Sequence, residues 1–253
     1  MGISVDGNIA VISLNRPGKR NAISPGITQA IDHLVRRIDK DDQLRVAILT
    51  SSSGGFFCAG ADLQIISEGR NDELNTKDGG FAGSIDARRV KPWIATVTGP
   101  VLAGGLELCL AYDMIVASDT AKFGLPEVKR ELFAAGAGAH RLARVLPRNI
   151  AIELVATDDP IEAEQAFALG LINRLVSAEA VLAEAVSLAR AIAVNAPLSV
   201  RESLRVARVA DEQPDAALRE MSTEIADRIF ASDDAREGAV AFLEKRLPNR
   251  SGR

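Results

Sequence analysis

Cysteine and histidine are scarce, with two of each in 253 residues. Cys58 and Cys109 are too few for a disulfide framework. With His33 and His140 they show none of the close ligand spacing of a zinc site, so no metal is expected. Both cysteines stand among apolar neighbours, which predicts buried, inert thiols. Charge of one sign is also lacking: 30 basic and 34 acidic residues leave a net charge of −4 with no long basic block. That argues against a nucleic-acid partner or a membrane surface. No apolar run reaches the ~18 residues of a membrane span. The first residues show no charged segment leading into an apolar run, so no signal peptide is expected and a cytoplasmic location is the default. What remains is an ordinary globular profile, 47% apolar and 25% charged, long enough for a large core.

Strands and helices alternate in the first half. Ile3 to Val5 and Ile9 to Leu14 flank Asp6-Gly7-Asn8 and predict a hairpin. Ser24-Pro25 predicts a helix start. Ile27, Ala30, Ile31, Leu34, Val35 and Ile38 then form an apolar stripe, with His33 off it and in solvent. Val46 to Thr50, Trp93 to Val97 and Met114 to Ala117 read as short buried strands. Residues 67–89 are polar and glycine-containing, and read as a mobile loop, with room for a short helix, that is either a lid or a solvated excursion. From about Arg141 the pattern turns helical. Helices are expected over Ile161 to Leu169, stopped by Gly170, and over Ala178 to Val194, Leu198 to Ala210, Asp215 to Phe230 and Asp234 to Leu243. An extended piece is expected at Leu171 to Val176. Strand-helix units followed by a helical tail predict an α/β core over 1–195 and a C-terminal helical region over 196–253.

Two glycine-rich segments and two glutamates carry the chemistry. Ser53 to Leu63 follows a strand, and its small residues let backbone approach a ligand, where a free N–H can donate to an anionic oxygen. Ala103-Gly104-Gly105 opens an apolar run that ends at Ala111. There a helix start has unpaired N–H groups and the positive end of its dipole. Glu107 interrupts that run. An unpaired buried carboxylate costs several kcal/mol, roughly, so Glu107 either has an ionic partner or faces a wet cavity. Burial raises its pKa, which suits acid–base work. Glu127 follows Pro126 in Phe123-Gly124-Leu125-Pro126-Glu127; taken alone it reads better as a solvated surface residue beside Lys129 and Arg130. Two carboxylates around one water can add that water across an activated double bond, whereas one alone more naturally shuttles a proton. No Gly-x-Gly-x-x-Gly run follows a strand, which argues against a dinucleotide site.

In this order the motifs resemble the crotonase superfamily, the enoyl-CoA hydratase/isomerase family, over nearly the whole chain. Asn15-Arg16-Pro17 with Asn21-Ala22, Phe57 to Leu63, Lys91-Pro92 through Gly99 to Glu107, Phe123 to Glu127, Arg141-Leu142 and Phe242 to Arg246 carry the likeness. The resemblance implies the ClpP/crotonase spiral of repeated strand-strand-helix units, with a C-terminal helical region used in assembly as a homotrimer or a dimer of trimers. It implies an acyl-CoA thioester as substrate, and no cofactor beyond the coenzyme A that the substrate carries. By position, Ala61 and Gly104 N–H groups would form an oxyanion hole. Lys19, Ala22, Ala59, Asp62, Leu63 and Gln64 would line the coenzyme A site, and Glu107 and Glu127 would be the catalytic pair, with Glu127 handling the C2 proton. The expected reaction is reversible hydration of a trans-2-enoyl-CoA to a 3-hydroxyacyl-CoA. Rivals are enoyl-CoA isomerisation or dehydration of a specialised acyl-CoA on the same scaffold, and an RNA-binding relative, which the acidic charge disfavours. Ala103 and Glu131 replace glycines of the pattern. Phe133-Ala134-Ala135-Gly136-Ala137-Gly138 replaces Ile-Pro-Gly-Ala-Gly-Gly, which puts the acyl-chain length in doubt.

Overall fold

The centre of the main sheet grows from β-branched and aliphatic runs, Val46–Ser51 and Trp93–Val97, buried on both faces. The computed structural model describes residues 1–52 and 55–250. Ser53 and Gly54 of the first glycine-rich segment therefore lie outside the described residues. The strands are β1 (Gly2–Asp6), β2 (Ile9–Leu14), β3 (Val46–Ser51), β4 (Asn75–Thr76), β5 (Gly80–Phe81), β6 (Trp93–Val97), β7 (Val101–Leu102), β8 (Met114–Ser118), β9 (Lys122–Gly124), β10 (Ile161–Glu162) and β11 (Arg174–Val176). The helices are α1 (Pro25–Lys40), α2 (Leu63–Ser67), α3 (Gly104–Ala111), α4 (Gly138–Val145), α5 (Arg148–Thr157), α6 (Ala163–Ala168), α7 (Val181–Ala193), α8 (Pro197–Ala207), α9 (Asp215–Phe230) and α10 (Asp233–Leu243).

One sheet runs β1-β2-β3-β6-β8-β11. The β1–β2 hairpin is antiparallel, with Asp6 opposite Ile9; every later pair in that sheet is parallel. Parallel strands are covered on both faces, and the period of two divides their side chains. Val46 and Ile48 of β3 pack with Ile9, Ile94 and Val116 under Val181, Ala185 and Ala189 of α7. Ala47 and Leu49 point into the main core with Ile31, Trp93 and Leu106. A second sheet, β10-β9-β7, stands beside the first. Together they give the spiral of strands and helices that the motifs implied.

Helix α1 starts as its sequence predicts: the Ser24 side chain accepts from the Ile27 N–H at 3.4 Å, Pro25 follows, and Ile27, Ile31, Leu34, Val35 and Ile38 are buried. His33 is exposed. Helix α8 is tied to the core by Arg208, which reaches both oxygens of Asp113 at 2.7 and 2.8 Å and the Lys91 carbonyl at 3.0 Å.

Two expectations need correction. The helix expected over Ile161 to Leu169 opens instead as strand β10, paired with β9, and only Ala163–Ala168 is helical. Residues 67–89 do not form an open loop. They hold a 3-10 turn at Asn71–Leu74 and the β4–β5 ladder. Leu74, Ala82 and Ile85 anchor the segment by burial, and Thr28 Oγ1 donates to the Leu74 carbonyl at 3.4 Å.

Candidate active site

The turn after β3 is stitched into place from two sides. Ile23 and Ala61 form a parallel bridge, as do Cys58 and Val101. Ala59 N–H donates to Arg20 at 3.1 Å, Ile23 N–H to Gly60 at 2.8 Å and Asp62 N–H to Ile23 at 2.9 Å. These bonds use the backbone donors on either side of Ala61. Ala61 N–H itself finds no acceptor among the described residues. The same holds for Gly104 N–H at the start of α3, where Ala103 N–H is bonded to Gly124 at 3.0 Å. Gly60 lets the two turns touch. It has φ +90°, and a Cβ there would stand 2.9 Å from Gly104 N and 2.7 Å from Ala103 Cβ. Two unspent donors thus share one corner of the fold, the arrangement an oxyanion requires.

Glu107 lies one turn into α3 and is only 4% exposed. Its Oε1 accepts the Gly138 N–H at 2.9 Å. Burial is the main reason its carboxyl is pushed up to about 7; the Glu127 charge adds to the rise, while the Gly138 and Gly136 N–H groups and Arg141 restrain it. Glu127 belongs to a 3-10 turn, Pro126–Arg130, closed by Glu131 in the left-handed region. Its Oε2 is buried without a hydrogen-bond partner among the described residues. Burial raises Glu127 too, aided by Asp158 and opposed by its own N–H and by Arg130. Both carboxylates, Ala61 and Gly104 line one cavity of about 420 Å³. Two acids with raised pKa values in one cavity are equipped to hold and pass a proton.

The remaining expected site residues divide. Ala59 and Leu63 line the cavity; Lys19, Ala22, Asp62 and Gln64 do not. Lys19 is exposed at the end of a 3-10 turn, and Ala22 is buried. Asp62 caps α2 by accepting the Gln64 N–H at 3.1 Å and pairs with Arg16 at 2.6 Å. Burial favours its protonation, yet the Arg16 and Gln64 hydrogen bonds prevail and hold it below the usual carboxylate value. The Gln64 side chain is turned to Glu68 at 3.0 Å. Sequence reasoning missed the cavity residues Phe56, Phe81, Asp86 and Arg130. Phe81 and Asp86 come from the 67–89 segment, where the apolar residues among polar ones were the only signal. Cys58 and Cys109 are buried, and burial drives Cys58 up to about 12 and Cys109 well above its ordinary value, as inert thiols require.

Three of the four glycine replacements seen in the sequence fall where φ is positive, Ala103 at +52°, Glu131 at +55° and Ala137 at +73°; Ala135 is the exception. Glycine adopts these conformations freely; a residue with a Cβ does so at a cost.

Among the described residues, no group of three or more His, Cys, Asp or Glu could hold a metal. No single helix among them is long and apolar enough to cross a membrane.

Comparison with known proteins agrees with this geometry. The model of the enoyl-CoA hydratase/isomerase family matches residues 4–253. Enoyl-CoA hydratase EchA19 of Mycobacterium tuberculosis is 39% identical over 96% of this chain and 93% of its own length. Carnitinyl-CoA dehydratase of Proteus mirabilis is 37% identical over 99% of this chain and 98% of its own. The crystal structure of an enoyl-CoA hydratase from Mycobacterium tuberculosis superposes with a TM-score of 0.94 at 38% identity, over 99% of this chain and 98% of that one. A carnitinyl-CoA hydratase from Mycobacterium avium superposes with a TM-score of 0.78 at 39% identity, over 100% and 98%. The fold is that of a crotonase-type enzyme. The chain belongs to the enoyl-CoA hydratase/isomerase family, and within it to the hydratases and dehydratases.

Proposed function

We propose that this enzyme reversibly hydrates a trans-2-enoyl-CoA to a 3-hydroxyacyl-CoA. The observation that carries the reading is that one cavity is lined by two buried carboxylates and two unspent N–H donors. The thioester oxygen accepts from Ala61 and Gly104, which draws electron density from the conjugated alkene and makes C3 electrophilic. Each such donor is worth about 3–4 kcal/mol in a transition state. Glu107, ionised, takes a proton from the water whose oxygen bonds to C3. The enolate that forms is held by the same donors, Glu127 delivers a proton to C2, and the proton taken up by Glu107 passes to Glu127 to restore both groups. The sum is addition of one water with no change of oxidation state, so the steps call for no metal or redox cofactor.

Lys19, Ala22, Ala59, Asp62, Leu63 and Gln64 belong to the coenzyme A side of this reading, with Asp62 acting by shaping the turn it caps. Phe230, Phe242, Leu243 and Leu247 are largely exposed apolar residues at the C-terminal end, which supports a homotrimer or dimer of trimers built through that region. The same reading places the enzyme in the cytoplasm. A second reading, dehydration of a 3-hydroxyacyl-CoA with a polar acyl tail, is favoured by the Asp86 carboxylate in the cavity wall and by the carnitinyl-CoA dehydratase relatives.

The test is hydration of short and long trans-2-enoyl-CoAs, followed by loss of the conjugated absorbance, with Glu107→Gln and Glu127→Gln alongside. Both variants are expected to lose at least ~100-fold in kcat. A wild type that hydrates none of these substrates overturns the reading; a double-bond shift without water uptake redirects it to isomerisation.

A further inference from the structure

Helix α4 meets Glu107 twice. Its first residue, Gly138, donates its N–H to Oε1. One turn on, Arg141 lies close enough for its charge to act on Glu107. The guanidinium is held from behind: Nη2 donates to the Ile85 carbonyl at 3.0 Å and stands 4.0 Å from Asp86. Nη1 is buried with no partner among the described residues. A half-buried cation with a buried, unspent donor, beside a buried acid, is a costly arrangement unless the two act on each other.

We propose that Arg141 is a positioning residue that acts through Glu107, a fixed counter-charge behind the carboxylate that keeps it ionisable inside the cavity wall. The proposal rests on the hydratase reading, in which Glu107 must be ionised to accept the proton of water. The charges around the pair fit the role. Glu107 faces Glu127 and Arg141. Glu127 faces Asp158 and Arg130. Arg141 faces Asp86, Glu107, Arg144, Glu212 and Arg89. Arg144 is already paired with Glu212 at 2.9 Å, and Arg89 donates to the Ser84 and Ala111 carbonyls. Asp86, whose side chain is 65% exposed, is left as a partial screen on Arg141. The two residues should therefore move Glu107 in opposite directions.

The experiment is a 13C NMR titration of the glutamate carboxyls in the full-length protein, with Glu107→Gln assigning the Glu107 signal, beside the pH profile of kcat/KM. Arg141→Met is expected to raise the Glu107 midpoint by about one pH unit and to move the acid limb of kcat/KM with it. Arg141→Lys, which keeps the charge, should restore most of the shift. Asp86→Asn should lower the midpoint. An unmoved midpoint in Arg141→Met, or a lysine variant that behaves like methionine, overturns the proposal, because a merely structural arginine would lower activity without moving the titration. If Arg141→Met does not fold, Arg141→Lys and Asp86→Asn still decide: a midpoint that Asp86→Asn leaves in place or raises overturns it. Wild-type protein that hydrates no enoyl-CoA refutes the hydratase reading, while the titration still judges Arg141 separately.

Discussion

Ala103→Gly is expected to stabilise the enzyme, although it removes a methyl group beside the proposed oxyanion hole. Ala103 caps α3 with φ +52° and ψ −131°. That pair lies outside even the small left-handed helical region open to residues with a Cβ. Holding a non-glycine residue in so sparse a region costs about 1–3 kcal/mol. Glycine removes that strain but adds backbone freedom to the unfolded chain, a loss of roughly 0.5–1 kcal/mol. Taking the middle of each range, the net gain is about 1 kcal/mol. For a chain of this length each kcal/mol moves Tm by roughly 2–4 °C. Ala137 (φ +73°, ψ 10°) and Glu131 (φ +55°, ψ 30°) are better placed controls, since both fall in or near the left-handed helical well; their glycine variants should gain less. The assay is urea unfolding or scanning calorimetry at one protein concentration and one scan rate, because assembly makes Tm depend on concentration. Ala103→Gly equal to or below wild type, or ranked beneath the two controls, refutes the claim that the cap residue is strained.

Two further predictions follow from the carboxylates. The Glu107 pKa is about 7 in the folded enzyme and 4.5 when unfolded. The folded state therefore holds more protons between these values, and stability falls as pH rises through that window. Glu107→Gln should flatten the decline and leave the inactive variant more stable than wild type near pH 8, read from unfolding midpoints at pH 4.5, 6 and 8; a slope equal to that of wild type argues against the raised pKa. Gly136→Ala would place a Cβ 2.6 Å from Glu107 Oε2 and 2.9 Å from its Cδ. It should displace the carboxylate and lower kcat by about 100-fold with little change in KM, checked by steady-state kinetics with a folded-state control by circular dichroism.

The parts of this molecule that sequence exposed are those with a long period or an isolated polar residue in apolar context. The stripe of α1 and its Ser24-Pro25 start are of the first kind, and Glu107 in α3 is of the second. Strands β7, β9 and β10 span two or three residues each, too short to show any alternation, and they depend on pairing with distant chain. The 67–89 segment hid for a related reason. Leu74, Ala82 and Ile85 are spaced irregularly because each is buried against a different neighbour, so no helical or strand period connects them. Asp62 shows the limit of motif reading from the other side. Its position in the motif pointed to ligand contact, whereas the structure gives its carboxylate two partners within the protein, Arg16 and the α2 N-terminus.

Several unfavourable features of this fold gather at one place. The unpaired Glu127 Oε2, the raised Glu107, the unspent N–H groups of Ala61 and Gly104, the strained Ala103 and the half-used guanidinium of Arg141 all border one cavity or stand directly behind its wall. Much of the rest follows the ordinary rules: α1 is capped, the core strands are apolar, and Arg208 spends its donors on Asp113 and backbone carbonyls; single buried atoms without a partner among the described residues also occur at Asp39, Arg89, Trp93 and Thr98. A fold that relaxed each local group to its own minimum would protonate or pair the acids and close the donors. Local conflict of several kinds gathered around one cavity is what selection for chemistry leaves behind. Each conflict here also has a counterpart in the proposed reaction: donors open for an oxygen that becomes negative, acids raised toward the pH at which they exchange protons, and a cation positioned to keep one of them charged.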